Sequence, residues 1–100
     1  IGDRHVEAEL HRLRGESLLG LANHNEAEAE ACFGRALNVS GEQRAKSLEL
    51  RAAMSMARLW RGQGKPDDAR RLLGGVYDWF TDGLDTPDLL DARELLESLG

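Results

Sequence analysis

Residues 57–76 read Ala57-Arg-Leu-Trp60-Arg-Gly-Gln-Gly64-Lys-Pro-Asp-Asp-Ala69-Arg-Arg-Leu-Leu73-Gly-Gly-Val76. Ala57 and Trp60 lie one helical turn apart, and Gly64 stands where the chain must reverse. Ala69, Leu73 and Val76 then recur at helical i, i+4 and i+7 spacing. Pro66 falls near the first position of the returning helix, where its missing N–H costs nothing. The stretch therefore predicts an antiparallel pair of helices, with small residues where the two axes approach most closely.

The same order of residue types returns earlier in the chain, where Gly15, Leu18, Ala29, Phe33 and Ala36 fill the corresponding roles with about two extra residues in the turn around Asn23-His-Asn25. Apolar residues keep helical spacing almost throughout. With one Ile, two Thr and no long β-branched run, nothing alternates as a strand does.

Five helices are expected. The first starts at Asp3, with Val6, Leu10, Leu13, Leu18 and Leu21 on one stripe. The second, about 25–39, turns Ala29, Cys32, Phe33, Ala36 and Leu37 inward and ends at Ser40-Gly41, where the glycine can take a left-handed cap. The third, about 42–61, buries Ala45, Leu48, Ala52, Ala53, Met56, Ala57, Leu59 and Trp60. The fourth carries Ala69, Leu72, Leu73, Val76, Tyr77 and Phe80. Thr86 as N-cap and Pro87 in the first turn open the fifth, which supplies Leu89, Leu90, Ala92, Leu95, Leu96 and Leu99.

The spacing of Ala57, Trp60, Gly64, Ala69, Leu73 and Val76 resembles a tetratricopeptide repeat, although the early aromatic position is His11 in one pair and Ala53 in the other, and the closing proline is missing from both. The resemblance implies an all-α, right-handed α-solenoid forming a single domain over 1–100. Repeat one covers about 3–39, repeat two about 42–82, and a capping helix about 86–99. The wording of Ala8-Glu-Leu-His-Arg-Leu-Arg-Gly15, Ala27-Glu-Ala-Glu-Ala-Cys-Phe33, Leu59-Trp-Arg-Gly-Gln-Gly64 and Val76-Tyr-Asp-Trp-Phe-Thr-Asp-Gly83, with Thr86-Pro-Asp-Leu89, is also similar to the C-terminal end of large bacterial regulators. In that family an ATPase module, often beside a nucleotide cyclase or DNA-binding domain, precedes a long tetratricopeptide array. The resemblance implies a non-catalytic, regulatory tail whose relatives carry their chemistry upstream. A chain that begins at Ile1 and is helical within a few residues reads as a fragment of a longer protein.

Composition narrows the function classes. A net charge of −5 over 100 residues argues against a partner gripped through nucleic-acid phosphates. The single Cys32 cannot close an intrachain disulfide, which favours a reducing, cytoplasmic setting. No apolar run approaches the roughly 20 residues a membrane span needs.

No cofactor, metal or catalytic site is expected. Gly62-Gln-Gly-Lys65 lacks the Ser or Thr of a phosphate-binding loop, and His5, His11 and His24 have no metal-ligand spacing. Glu26, Glu28 and Glu30 read as a solvated face, and Cys32 beside Phe33 as a small buried hydrophobe. Ser17, Ser47 and Ser55 sit in no nucleophile elbow.

In the resembled family the first helix of each pair lines the concave surface. That rule selects Glu9, Arg12, Glu16 and Leu19 from helix one and Arg51, Met54, Arg58 and Arg61 from helix three as a candidate peptide-binding groove. The arginines suit carboxylates of a protein segment or an adjacent domain of the same chain. They could instead be tied to Glu9 and Glu16 across the groove. Three aromatics at 77–80 read as the seam sealed by the last helix, with Trp79 left partly exposed. The alternative reading of the whole is an oligomerisation module, a homodimer through Val6, Leu10, Leu13 and Leu18.

Overall fold

A computed structural model describes residues 4–20, 25–42, 44–81 and 86–100. They form five α-helices and no strand: α1 (Arg4–Leu19), α2 (Glu26–Glu42), α3 (Lys46–Gly62), α4 (Pro66–Tyr77) and α5 (Pro87–Leu99). Two hairpins, α1–α2 and α3–α4, stack side by side and α5 packs on the second, so that α1, α3 and α5 make one layer in a slab of 40 × 39 × 19 Å. Leu21, Asn23 and His24 lie outside the described residues, as does the segment 82–85.

The helix boundaries follow from backbone chemistry. Asn25 caps α2: its Oδ1 accepts from Glu28 N–H at 3.0 Å while its Nδ2 donates to the Glu28 carboxylate at 3.0 Å. Thr86 caps α5 as expected, its hydroxyl accepting from Leu89 N–H at 3.4 Å. At the end of α3, Gly64 takes φ +78° and the Lys65 N–H reaches back to the Trp60 carbonyl at 2.8 Å, closing the turn that the opening stretch of sequence predicts.

The end of α2 departs from expectation. The helix does not stop at Ser40-Gly41 but runs to Glu42, and it is Arg44, at φ 54°, that turns left-handed, with Ala45 N–H on the Ser40 carbonyl at 2.8 Å. The Ser40 hydroxyl, instead of breaking the helix, donates back to the Ala36 carbonyl at 2.7 Å and is buried. As a result α3 begins at Lys46 rather than near Glu42. Likewise α4 ends at Tyr77, and Phe80 packs on the core from the turn beyond it.

Packing of the first hairpin turns on one contact. A Cβ added to Gly15 would lie 2.6 Å from Cε1 and 2.9 Å from Cδ1 of the fully buried Phe33 ring. Ala8 and Gly15 form the inner face of α1, so its large apolar residues are displaced outward: Val6, Leu10 and Leu13 are 53%, 60% and 50% exposed. The expected single stripe therefore divides, since Leu18 instead packs with Leu19 against Ala29, Phe33, Met56 and Leu59.

The centre of the molecule is α3, where every residue from Ala52 to Ala57 is buried, together with Leu50 and Leu59. Leu48, expected inside, is only half-buried. The second core joins Leu50, Ala53, Met54 and Ala57 to Ala69, Leu73 and Val76 of α4 and to Leu89, Ala92, Leu95 and Leu99 of α5. Tyr77 and Phe80 pack against it, as a sealed seam requires. Leu90 points away at 46% exposure, and Trp79 is 58% exposed, edge-on to Phe80 at 5.2 Å with Lys46 Nζ over its ring at 5.3 Å.

Two consequences are measurable by urea denaturation. Gly15→Ala is expected to lower stability by about 1–2 kcal/mol, because overpacking outweighs the gain in helix propensity, and the penalty should shrink by at least about 0.5 kcal/mol in a Phe33→Leu background. Gly75→Ala, in α4 with nothing within 4 Å of the added Cβ, should raise it by about 0.5–1 kcal/mol. At the α2–α3 turn, Arg44→Gly relieves a left-handed non-glycine residue and should stabilise by about 0.5–1 kcal/mol, the opposite of what a helix-propensity scale would give.

Candidate functional site

Because α1, α3 and α5 lie in one layer, their polar edges form a continuous strip. Glu9 of α1 accepts from Arg12 Nε at 2.9 Å and from Arg51 Nη1 of α3 at 3.1 Å. Arg51 Nε then donates to Asp88 of α5 at 2.8 Å. One guanidinium thus ties α3 to both of its neighbours in the layer, α1 and α5. Further along, Ser55 donates to Glu16 at 3.4 Å, Arg12 lies 3.9 Å from the same carboxylate, and Arg61 donates to the Ser98 hydroxyl at 2.8 Å.

The Arg51 pKa is raised above its ordinary value, first by the hydrogen bond to Asp88 and then by that to Glu9, against a smaller opposing effect of burial. A group whose folded pKa is raised adds stability that is complete below its unfolded pKa, so this bridge is fully present throughout the neutral range. Its strength is limited by solvent, since the Arg51 side chain is 44% exposed.

The sequence-derived groove residues therefore separate into three kinds. Glu9, Arg12, Glu16 and Arg51 are brought together but satisfy one another, the arrangement in which the arginines are tied across the strip. Met54 is not a surface residue at all: it is 4% exposed and packed in the α3–α4–α5 core, because α5 covers the side of α3 on which it projects. Arg58 remains, an exposed cation without a hydrogen-bond or ion-pair partner among the described residues. It shares with Arg61 one wall of a shallow depression of about 330 Å³ whose other wall is Asp91, Glu94, Leu95 and Ser98 of α5.

Asp88, Asp91, Glu94 and Ser98 are the members of this strip that sequence reasoning leaves out. Reading α5 only as an apolar cap over the aromatics gave its polar face no neighbour. The usable signal was the acidic spacing Asp88, Asp91, Glu94, one face of a helix that must lie beside arginine-rich α3.

The glutamates of α2 are also more than a solvated face. Glu30 accepts from Trp60 Nε1 at 2.9 Å and Glu26 from Gln63 Nε2 at 3.1 Å, tying α2 to the end of α3. Cys32 is buried at 1%. His11 lies 3.7 Å from Glu7. Among the described residues no group of three or more His, Cys, Asp or Glu converges as metal ligands would, and no helix is long and apolar enough to cross a membrane. No family model, no curated protein and no solved structure matches the chain.

The bridge can be weighed directly. Arg51→Met keeps the stem and removes the charge, and should cost about 0.5–2 kcal/mol in urea denaturation at low salt, falling by more than half in about 1 M NaCl. Arg71→Met, which breaks only the exposed 3.4 Å pair with Asp68, should change stability by less than about 0.5 kcal/mol under either condition.

Proposed function

We propose that this chain is a non-catalytic, tetratricopeptide-like interaction module that binds a protein segment along the strip formed by α1, α3 and α5. The observation that supports this reading is the contrast within one row of arginines: Arg51 is held by carboxylates on both sides, whereas Arg58 is exposed and without a partner among the described residues, at the edge of a depression. A cation held on a rigid helix with its hydrogen bonds unspent is a grip for a carboxylate. With Asp91 and Glu94 opposite, the depression suits an extended segment that offers an acidic group towards α3 and a basic one towards α5.

The resemblance of the sequence to the C-terminal ends of multidomain bacterial regulators supports placing this module in a cytoplasmic signalling or transcription-regulating ATPase or cyclase-like protein. The segment bound would then belong to a partner protein or to an adjacent domain of the same parent chain.

Fluorescence anisotropy against a labelled set of peptides carrying Glu or Asp next to Lys or Arg tests the reading. Arg58→Glu should weaken the best binder at least tenfold, while Arg35→Glu, an equally exposed charge reversal on α2, should leave it unchanged. Equal loss in both variants, or none in either, would overturn the assignment to this strip.

A further inference from the structure

Two residues on one edge of the molecule sit where the fold alone would choose otherwise. Arg44 follows α2 in the left-handed conformation at φ 54°, a place that glycine fills without strain, yet its guanidinium is exposed and has no hydrogen-bond or ion-pair partner among the described residues. Trp79, beyond the end of α4, is 58% exposed although its neighbours Tyr77 and Phe80 pack on the core. Both line one cavity of about 540 Å³, which Gly41, Lys46 and Glu49 complete. Backbone strain and exposed apolar surface that meet at one cavity mark a place that uses those side chains.

The cavity is organised for an occupant. Phe80 meets the indole of Trp79 edge-on at 5.2 Å and Lys46 Nζ lies 5.3 Å over its ring, so the tryptophan is a fixed wall. Lys46 Nζ is also 3.1 Å from the Glu49 carboxylate, and the two charges offset each other. That leaves Arg44 as the unspent charge among these lining residues. A guanidinium offers paired donors to a carboxylate, and an indole offers a broad apolar surface to a ring. A doubly charged phosphate would have to sit beside Glu49 with one free cation to hold it, in a chain of net charge −5, whereas a carboxylate is matched by that one cation. Trp and Arg are also the side chains that most often anchor protein interfaces.

We propose that this cavity is a second docking site, which takes from a partner protein a segment presenting a carboxylate to Arg44 and an aromatic side chain to Trp79. In an extended segment the two lie two positions apart, because every second side chain points the same way. The site is separate from the strip: Lys46, on its wall, stands about 18 Å along α3 from Arg58 by the rise of an α-helix. One ion pair and one ring contact make a small interface, so the association belongs to the weak, reversible class.

Titration of the 100-residue chain with acetyl-Gly-Phe-Gly-Glu-Gly-amide, up to about 10 mM, tests the site by nuclear magnetic resonance, with the indole N–H signals of Trp60 and Trp79 read separately. The Trp79 signal should move and saturate. Replacing the peptide's Glu by Gln, or its Phe by Ala, should each weaken binding at least about fivefold on the unaltered chain. Arg44→Gly should weaken it by about as much while raising the urea midpoint, so that the loss cannot come from unfolding. Lys65→Glu, an exposed charge reversal at the far end of α3, should leave the affinity unchanged. A Trp79 signal that stays put at the highest concentration overturns the proposal. So does equal binding of the Gln or Ala peptide, an Arg44→Gly chain that binds as its parent does, or a loss in Lys65→Glu that matches the loss in Arg44→Gly.

Discussion

The ring of Phe33 lies where a side chain on residue 15 would have to be, and much of the architecture descends from that exclusion. Dispersion forces fall off within an ångström of contact distance, so a glycine at the crossing lets α1 and α2 approach until the aromatic ring fills the gap. The first hairpin is thereby set close, with Ala8 and Ala29 buried along it. Having given its inner face to small residues, α1 carries its large apolar ones elsewhere: Leu18 and Leu19 onto the second hairpin, and Val6, Leu10 and Leu13 to the outside.

The second hairpin solves the same problem with different residues. Ala57 and Ala69 hold the close approach of α3 and α4, and the bulk comes from Leu50, Leu73 and the leucines of α5. Because α3 meets α1 and α2 on one side and α4 and α5 on the other, it has little surface to spare. What remains is the polar strip, where one residue, Arg51, reaches helices on either side.

Much of this was legible in the residues. The spacing of Ala57, Trp60, Gly64, Ala69, Leu73 and Val76 reports backbone geometry directly, because only small residues fit a helix crossing and only glycine turns left-handed cheaply, and both hairpins appear as that spacing requires. Thr86 and Asn25 declare helix starts through their own hydrogen bonds. The errors have a common cause: periodicity locates an apolar face but not its neighbour. For α1 the inner face is the small one, so the stripe that groups Val6, Leu10 and Leu13 with Leu18 divides, and the first three face outward. For α3, a helix buried nearly all round, Leu50, Met54 and Ser55 fell outside a single-stripe reading. Arg44 in place of Gly41 at the end of α2 shows the local limit, since the helix continues wherever Ser40 can return its hydroxyl to the preceding turn and bury it.

The same distinction decides what the strip can do. An arginine whose donors are already directed at two carboxylates gains little from a third, because a new bond must break an old one of similar strength, whereas a cation with only water around it loses merely that water. Charge alone would therefore rank Arg51, Arg58 and Arg61 equally as contacts, and the packing of α5 ranks them differently. By supplying Asp88 to the first and Ser98 to the third, the closing helix converts two of the three into struts between neighbouring helices of one layer and leaves the middle one open. Sealing the apolar flank and selecting which cation faces outward are, in this fold, consequences of the same helix placement.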